Sequence, residues 1–374
     1  MRMIRFFALL RRVPAFTALL LGCVVASSPA HAGSFLDRFR TVATVASTVP
    51  ANGDINPYGI ALVPRSVGAL QRGSVLVSNF NDSANLQGTG STIVQIDAAG
   101  HAGLFAQIDP ATLPGECPGG VGLTTALAVL QRGWVIVGSL PSATGQSAAA
   151  QAGCLIVFDA RGRPVKTWHG HGIRGPWDMT ARDDGDSALL FVSNVLEGDV
   201  TSGTPHVVDQ GTVIRIALEV PEQDEGLPRR VATTVIASGF GETADPAALV
   251  IGPTGVALAR DGTLYVADTL GNRIAAVADA PSRATSALTG TTVTQGGALN
   301  GPLGLTLAPN GDLLSVNAGD GNVVETRPGG TQVAVKTLDT ATGAGSLFGL
   351  VVAPGGRALY FVDDGDNTLK ALLR

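Results

Sequence analysis

Six related segments follow one another along this chain, and a chain of such repeats folds as a series of similar units. Each segment opens with an apolar stretch around a small residue, and the clearest copies are Pro253-Thr254-Gly255-Val256-Ala257-Leu258 and Pro302-Leu303-Gly304-Leu305-Thr306-Leu307. A turn such as Asp261-Gly262, a dipeptide typical of hairpins, comes next. A second apolar stretch then ends in a short polar residue. Every segment therefore predicts a hairpin with further strands after it.

The spacing of the segments indicates how many strands each one holds. Their central small residues stand at positions 59, 122, 178, 255, 304 and 349, at intervals of 63, 56, 77, 49 and 45 residues. Four short strands need about 40–45 residues, so the first four units carry insertions. Four-stranded units arranged radially form a β-propeller. Residues 33–374 thus predict one all-β domain, a six-bladed propeller. Because the last unit ends after about three strands, we expect a strand near residues 40–46 to complete it and close the ring.

One unit carries a sharper pattern than the others. Residues 252–258, residues 261–268 and Gly271-Asn272-Arg273-Ile274 together resemble a near-complete NHL repeat. The units at 301–324 and 346–370 resemble it less fully, and the first three units share only its strand skeleton. The resemblance is to the NHL-repeat six-bladed β-propeller family. It implies the fold and no particular chemistry, because that family spans binding scaffolds and a few enzymes.

The first 32 residues have the pattern of an export signal. Four arginines between positions 2 and 12 precede the apolar residues 15–26, and Ala30-His31-Ala32 supplies the small residues that signal peptidase requires. We expect cleavage after Ala32 and a periplasmic or secreted protein. A competing interpretation is lipidation at Cys23. Beyond this segment no apolar run is long enough to span a membrane, so we predict no membrane-spanning segment there.

Composition limits the partners. Charged residues are 15% of the chain, and loss of the first 32 residues, with their four arginines, would move the net charge from −5 to −9. An acidic chain without a basic block argues against nucleic acid as a partner. We expect a monomer that binds an unidentified protein, glycan or small molecule.

Two cysteines remain after the predicted cleavage, Cys117 and Cys154. An even pair in an exported chain favours a disulfide. Two buried free thiols are the alternative.

Short polar residues end the six predicted second strands: Asn79, Ser139, Asn194, Asp268, Asn317 and Asp363. Because these strands run towards the same face of a propeller, the residues are expected to ring one mouth of its central channel. Such a ring could bind a polar ligand, or calcium or another divalent metal through oxygen atoms. The same residue types also satisfy backbone groups at turns, so both interpretations remain open. Trp177 and Asp178 are further ligand-binding candidates, and packing between blades is the alternative for Trp177.

Long polar insertions, at residues 81–91, 142–153 and 197–211, are predicted on the same face. The favoured interpretation is a binding or interaction scaffold that acts through this face. The alternative is a divalent-metal-dependent hydrolase or lyase, similar to the lactonase propellers, with its metal on Asp178, Asp268 and Asp363. Lactonases of this type use Asp or Asn near the starts of the first strands, where this chain has residues that are not metal ligands. A quinone-cofactor sugar dehydrogenase is a third option, and few basic residues are present to hold such a cofactor.

Overall fold

In residues 33–341 and 344–374, short apolar runs separated by turns give 25 strands, and these pair into six sheets. The structure is a computed structural model that describes residues 33–341 and 344–374. The expected export signal, with Cys23 and the cleavage position after Ala32, lies outside the described residues. No helix of the described residues is long and apolar enough to cross a membrane.

The strands follow the order of the repeats. β1 (Thr41–Ser47) comes first and belongs to the last blade. Blade 1 contains β2 (Ile55–Leu62), β3 (Val75–Asn81), β4 (Thr92–Ile96) and β5 (Ala102–Gln107). Blade 2 contains β6 (Leu123–Val129), β7 (Val135–Ser139), β8 (Cys154–Phe158) and β9 (Pro164–Trp168). Blade 3 contains β10 (Gly175–Asp183), β11 (Ser187–Val195), β12 (Val208–Glu219), β13 (Arg229–Asp245) and the short β14 (Leu249–Ile251).

The second half of the chain has less elaborate blades. Blade 4 contains β15 (Pro253–Leu258), β16 (Leu264–Asp268), β17 (Arg273–Val277) and β18 (Thr291–Gln295). Blade 5 contains β19 (Pro302–Leu307), β20 (Leu313–Asn317), β21 (Asn322–Thr326) and β22 (Gln332–Thr337). Blade 6 contains β23 (Leu347–Val352), β24 (Ala358–Asp363) and β25 (Thr368–Leu373), with β1 as its fourth strand. Single 3-10 turns occur at Leu36–Arg38, Pro110–Thr112, Ser147–Ala149 and Pro354–Gly356.

The predicted six-bladed propeller and its closure are confirmed. β1 pairs antiparallel with β25, from Thr41 opposite Leu373 to Ser47 opposite Thr368. The first strand of each blade contacts the first strand of the next, and β23 contacts β2, so these six strands form the innermost ring around the channel. A strand near the start of the described residues thus completes the sheet of the last blade.

Glycine at the predicted central position lets neighbouring blades approach closely. A Cβ atom on Gly304 would lie 1.9 Å from the carbonyl oxygen of Phe348 in the next blade, and one on Gly255 would lie 2.3 Å from that of Leu303. Any side chain would force those strands apart. In blade 3 the corresponding residue is Asp178.

Every first strand bulges at this level. In four blades two residues lie between the paired residues, as Trp177 and Asp178 do between Pro176 and Met179, and in blade 1 only Tyr58 lies between Pro57 and Gly59. Blade 2 has three, because its pairing moves from Leu123 directly to Leu127. β6 begins one residue after the predicted centre at position 122.

The two faces of the ring differ in their connections. The loop face carries the connections from second to third strands, at residues 82–91, 140–153 and 196–207 in blades 1 to 3. The turn face lies opposite and carries the turns from first to second strands, such as residues 259–263. The disulfide between Cys117 and Cys154 is confirmed, and it ties the start of blade 2 to β8.

The segment before β1 is held by a single carboxylate. Glu325 of β21 accepts hydrogen bonds from Ser34 Oγ at 2.6 Å, from the Phe35 backbone N–H at 2.7 Å and from the Leu36 N–H at 2.8 Å. Phe35 and Leu36 are fully buried. Burial acts to raise the pKa of Glu325, but the hydrogen bonds that it accepts together outweigh burial and lower the pKa.

Candidate functional site

Aromatic rings close the channel at the loop face. Tyr58, Trp177 and Phe348 occupy the first position of the bulge in blades 1, 3 and 6. The centroids of the Tyr58 and Phe348 rings lie 3.7 Å apart, and those of Trp177 and Phe348 lie 6.3 Å apart. Blades 3 and 6 stand on opposite sides of a six-membered ring, so the Trp177–Phe348 pair spans the channel. All three side chains are buried. Trp177 therefore packs between blades, the alternative considered for it above.

A hairpin from blade 3 lies over these rings. β13 runs beyond the end of its blade and pairs with β14, with Asp245 opposite Leu249 at the tip. The Tyr58 hydroxyl donates a hydrogen bond to the carbonyl of Ala247 at 2.9 Å, and Trp177 Nε1 donates to the carbonyl of Val250 at 3.2 Å. The hairpin is thus fixed directly to the rings that fill the channel mouth.

The hairpin tip also joins the loops of blades 1 and 2. Gln87 Nε2 donates to the carbonyl of Pro246 at 2.6 Å, and its Oε1 accepts from the Leu249 N–H at 3.0 Å. Ser147 Oγ donates to the carbonyl of Asp245 at 3.2 Å. We call residues 82–91, 140–153, 196–207 and 246–248 the loop platform. Sequence reasoning missed the hairpin, although the 77-residue interval of unit three signalled a large insertion.

The third loop is attached to β13 through a buried acid. Glu242 is fully buried, and its Oε1 accepts a hydrogen bond from the Glu197 N–H at 2.9 Å. Burial raises the pKa of Glu242 to about 7 and also raises that of Glu197, which lies 3.3 Å from the Arg174 guanidinium. Glu242 Oε2 has no hydrogen-bond partner. These groups stabilise the loop from beneath.

The neutral members of the predicted ring bind backbone and side chains close to their own blades. The pairs are Asn79 with Thr48 and Thr92, Ser139 with Gly120 and Gly122, Asn194 with Arg174, and Asn317 with Ala298 and Asp320. All four are fully buried. None of them lines the channel cavity described below. These contacts are those expected of residues that organise turns.

The two acidic members form ion pairs within their blades. Asp268 Oδ2 lies 2.7 Å from Arg273 Nε, and Asp363 Oδ2 lies 2.7 Å from Lys370 Nζ. A cation already neutralises each carboxylate. The structure therefore does not bring Asp178, Asp268 and Asp363 together as a metal site, which corrects the expectation above. Nowhere in residues 33–341 and 344–374 do three His, Cys, Asp or Glu side chains form such a group.

Below the aromatic rings the channel holds a cavity of about 360 Å³. Its walls are the first strands of all six blades, from the bulge to the strand ends near Leu62, Leu258 and Leu307. Those three residues are half-buried, whereas the aromatic rings are buried, so the cavity opens at the turn face. Asp178 is the one ionisable residue among the described residues that line it.

Asp178 stands at the inner end of this cavity. Its Oδ2 accepts a hydrogen bond from the Val256 backbone N–H in the next blade at 2.9 Å. Burial raises the pKa of Asp178 to about 7, and hydrogen bonds from the Val256 and Met179 backbones oppose the rise only in part. A carboxyl group of this kind can exchange a proton near neutral pH. The cavity supplies neither a second titratable group nor a base-activated nucleophile to complete an acid–base pair.

Thr125 is a cavity residue that sequence reasoning did not find. It lies in the three-residue bulge of blade 2, and its side chain is 5% exposed. Its Oγ1 is buried without a hydrogen-bond partner, which is uncommon for a hydroxyl group. The extra residue between Leu123 and Leu127 was the available signal, but it is visible only once the strands are paired.

Comparison with known proteins supports the fold. No family model matches the sequence, and no curated protein matches it significantly. Among solved structures, a gluconolactonase from Xanthomonas campestris is 15% identical, with a TM-score of 0.53 over 89% of each chain. A PQQ-bound aldose sugar dehydrogenase from Streptomyces coelicolor is 16% identical, with a TM-score of 0.54 over 89% of this chain and 98% of the other. A luciferin-regenerating enzyme is 9% identical, with a TM-score of 0.54 over 89% of this chain and 95% of the other. At these identities the similarity shows a shared fold.

Neither a catalytic metal nor a quinone cofactor fits the residues of this channel. A divalent ion needs several oxygen ligands, and the cavity supplies one carboxylate. The described residues that line the cavity include no arginine, lysine or histidine to hold the carboxylates of a quinone cofactor.

Proposed function

We propose that this protein is an exported, NHL-type binding scaffold whose loop platform binds a partner protein. The observation that carries the proposal is the closed channel mouth: Tyr58, Trp177 and Phe348 fill it, and the β13–β14 hairpin covers them. A face without an opening offers a broad surface to a partner.

Cross-links between blades support this function. The hairpin tip joins loops of blades 1 and 2 through Gln87 and Ser147, and Glu242 holds the loop of blade 3. Loops that are fixed before binding lose less conformational entropy when a partner binds. This arrangement favours a surface that is formed in advance.

Exposed apolar side chains supply the contacts that a protein partner would bury. Val207 is 62% exposed, and Leu86 and Leu270 also expose large apolar surfaces on the loop face. Val207 and Leu270 flank the same glycine, Gly241, and so are close to each other. Neighbouring exposed apolar residues with a polar surround are typical of protein-binding surfaces.

Export is part of the proposal. The disulfide between Cys117 and Cys154 points to an oxidising compartment. We propose that residues 1–32 direct the chain there and are removed after Ala32. Mass spectrometry of protein recovered from the periplasm would then give a chain that begins at Gly33, whereas a lipidated chain would begin at Cys23.

Cross-linking in periplasmic extract tests the partner. Val207→Asp places a charge on the loop platform, and Leu288→Asp is the matched control because Leu288 is 70% exposed on the turn face. We expect a partner protein that wild type and Leu288→Asp enrich equally and that Val207→Asp enriches at least about fivefold less. Equal enrichment by all three proteins, or no enriched partner, would contradict the proposal.

A divalent-metal-dependent hydrolase or lyase is the second candidate. The gluconolactonase and sugar dehydrogenase among the similar structures favour it, whereas the channel cavity, with Asp178 as its one carboxylate, does not. Metal-dependent turnover of a lactone panel by wild type, lost in Asp178→Asn, would establish it in place of the scaffold.

A further inference from the structure

The channel cavity contains one carboxyl group among mainly aliphatic side chains. Asp178 uses Oδ2 for the Val256 N–H of the next blade. The rest of the described lining is mainly aliphatic, as at Ile60, Leu305 and Leu350. A buried carboxyl group is costly to ionise without donors or a counter-charge, so this site favours a ligand that supplies N–H donors.

The charge of the cavity determines which ligand charge it favours. The described lining contains one carboxyl group and no basic side chain, so an anionic ligand would meet repulsion and no counter-charge. A cation would offset the cost of an ionised Asp178 in apolar surroundings. The cavity volume of about 360 Å³ lies at the small end of ligand pockets, which span about 300–1,000 Å³.

The position of Asp178 indicates that the cavity is a specific feature of this channel. Four other blades have glycine at the same level, where a Cβ atom would meet the backbone or side chain of a neighbouring strand at under 3 Å. Blade 3 accommodates a carboxyl group there, and blade 2 has an extra bulge residue beside it. Both departures from the repeat face the same cavity.

We propose that the cavity binds a small organic cation, a protonated primary amine on an apolar body, which enters from the turn face. The ammonium group binds Asp178, and the apolar body lies against the aliphatic side chains of the channel. This site lies at the opposite end of the channel from the loop platform and does not depend on the proposed partner.

Calorimetric titration with cyclohexylammonium tests the proposal, with cyclohexanol as the neutral probe and cyclohexanecarboxylate as the anionic one. We expect cyclohexylammonium to bind wild type at pH 8 at least about tenfold more tightly than either other probe. Asp178→Asn should lose at least tenfold in affinity for the cation. Asp159→Asn is the matched control, because it removes a buried carboxyl group outside the cavity, and it should bind like wild type.

The pH dependence adds a second readout. Because Asp178 must be ionised to attract the cation, affinity should rise about tenfold between pH 6 and pH 8 in wild type and stay flat in Asp178→Asn. Near-ultraviolet circular dichroism establishes that each variant is folded. No cation binding to wild type, or equal binding to wild type and Asp178→Asn, would overturn the proposal.

Discussion

The rings of Trp177 and Phe348 come from opposite blades, and their centroids lie 6.3 Å apart across the channel. A six-bladed ring can be closed in this way only if its innermost strands carry large side chains at the same level. Tyr58 stacks against Phe348 and completes the layer. The channel consequently opens at the turn face, while the loop face presents a continuous surface.

Removal of one ring should destabilise the whole propeller. Phe348→Ala would leave a cavity between Tyr58 and Trp177, and we expect a loss of about 3–5 kcal/mol in the free energy of unfolding. Urea denaturation measures it. Leu288→Ala, at a residue that is 70% exposed, should change the same quantity by less than about 0.5 kcal/mol. A loss below about 1 kcal/mol for Phe348→Ala would show that the rings do not pack as described.

The disulfide should contribute measurably to stability. Cys117 and Cys154 are 37 residues apart in sequence, and the chain-entropy model gives about 3–4 kcal/mol for such a closed loop. We expect the double variant Cys117→Ala, Cys154→Ala to lose about that much in urea denaturation. Wild type in reducing agent should approach the double variant, and equal stability of oxidised and reduced protein would refute the contribution.

Glu325 should anchor the segment before β1. Glu325→Gln keeps the size of the side chain but replaces one acceptor oxygen with a donor that faces N–H groups. We expect a loss of about 2–3 kcal/mol in the free energy of unfolding and faster protease cleavage near residues 34–40. Glu225→Gln, at an exposed glutamate, is the control. Protease resistance equal to that of wild type would contradict the anchoring role.

Asp178 should make stability fall as pH rises. Its pKa is about 7 in the folded protein against an ordinary value of 3.8, so between these values the folded state holds a proton that the unfolded state has lost. The contribution of Asp178 to the free energy of unfolding is fully present below about pH 4 and is lost as pH rises through about 7. Relative to wild type, Asp178→Asn should therefore gain about 2–4 kcal/mol between pH 4.5 and pH 8, because each pKa unit corresponds to about 1.4 kcal/mol. A constant difference between the two proteins across this range would rule out the shift.

The repeat pattern predicted most of the fold but only part of the candidate site. Blade number, ring closure by the strand Thr41–Ser47 and the disulfide follow from local pattern, residue spacing and cysteine count. Packing across the channel does not, because Tyr58, Trp177 and Phe348 are about 120 to 290 positions apart in sequence and read individually as ordinary strand residues.

The predicted ring shows the same limit. The register correctly placed Asp268 and Asp363 at the ends of second strands, but it could not show that Arg273 and Lys370 reach back to them. The long β13 extension was equally invisible, since its residues 239–248 lack the apolar alternation of a strand. The roles of these residues depend on side-chain direction and on partners distant in sequence, and the repeat pattern specifies neither.

Native mass spectrometry of the mature protein, equilibrated with calcium or zinc and then desalted, tests the central claim most directly. A binding scaffold with a filled channel mouth should retain no stoichiometric ion, because no three His, Cys, Asp or Glu side chains of the described residues form a group that could hold one. One ion retained per chain by wild type, and lost in Asp178→Asn or Asp268→Asn, would show that these residues form a metal centre and would contradict the account.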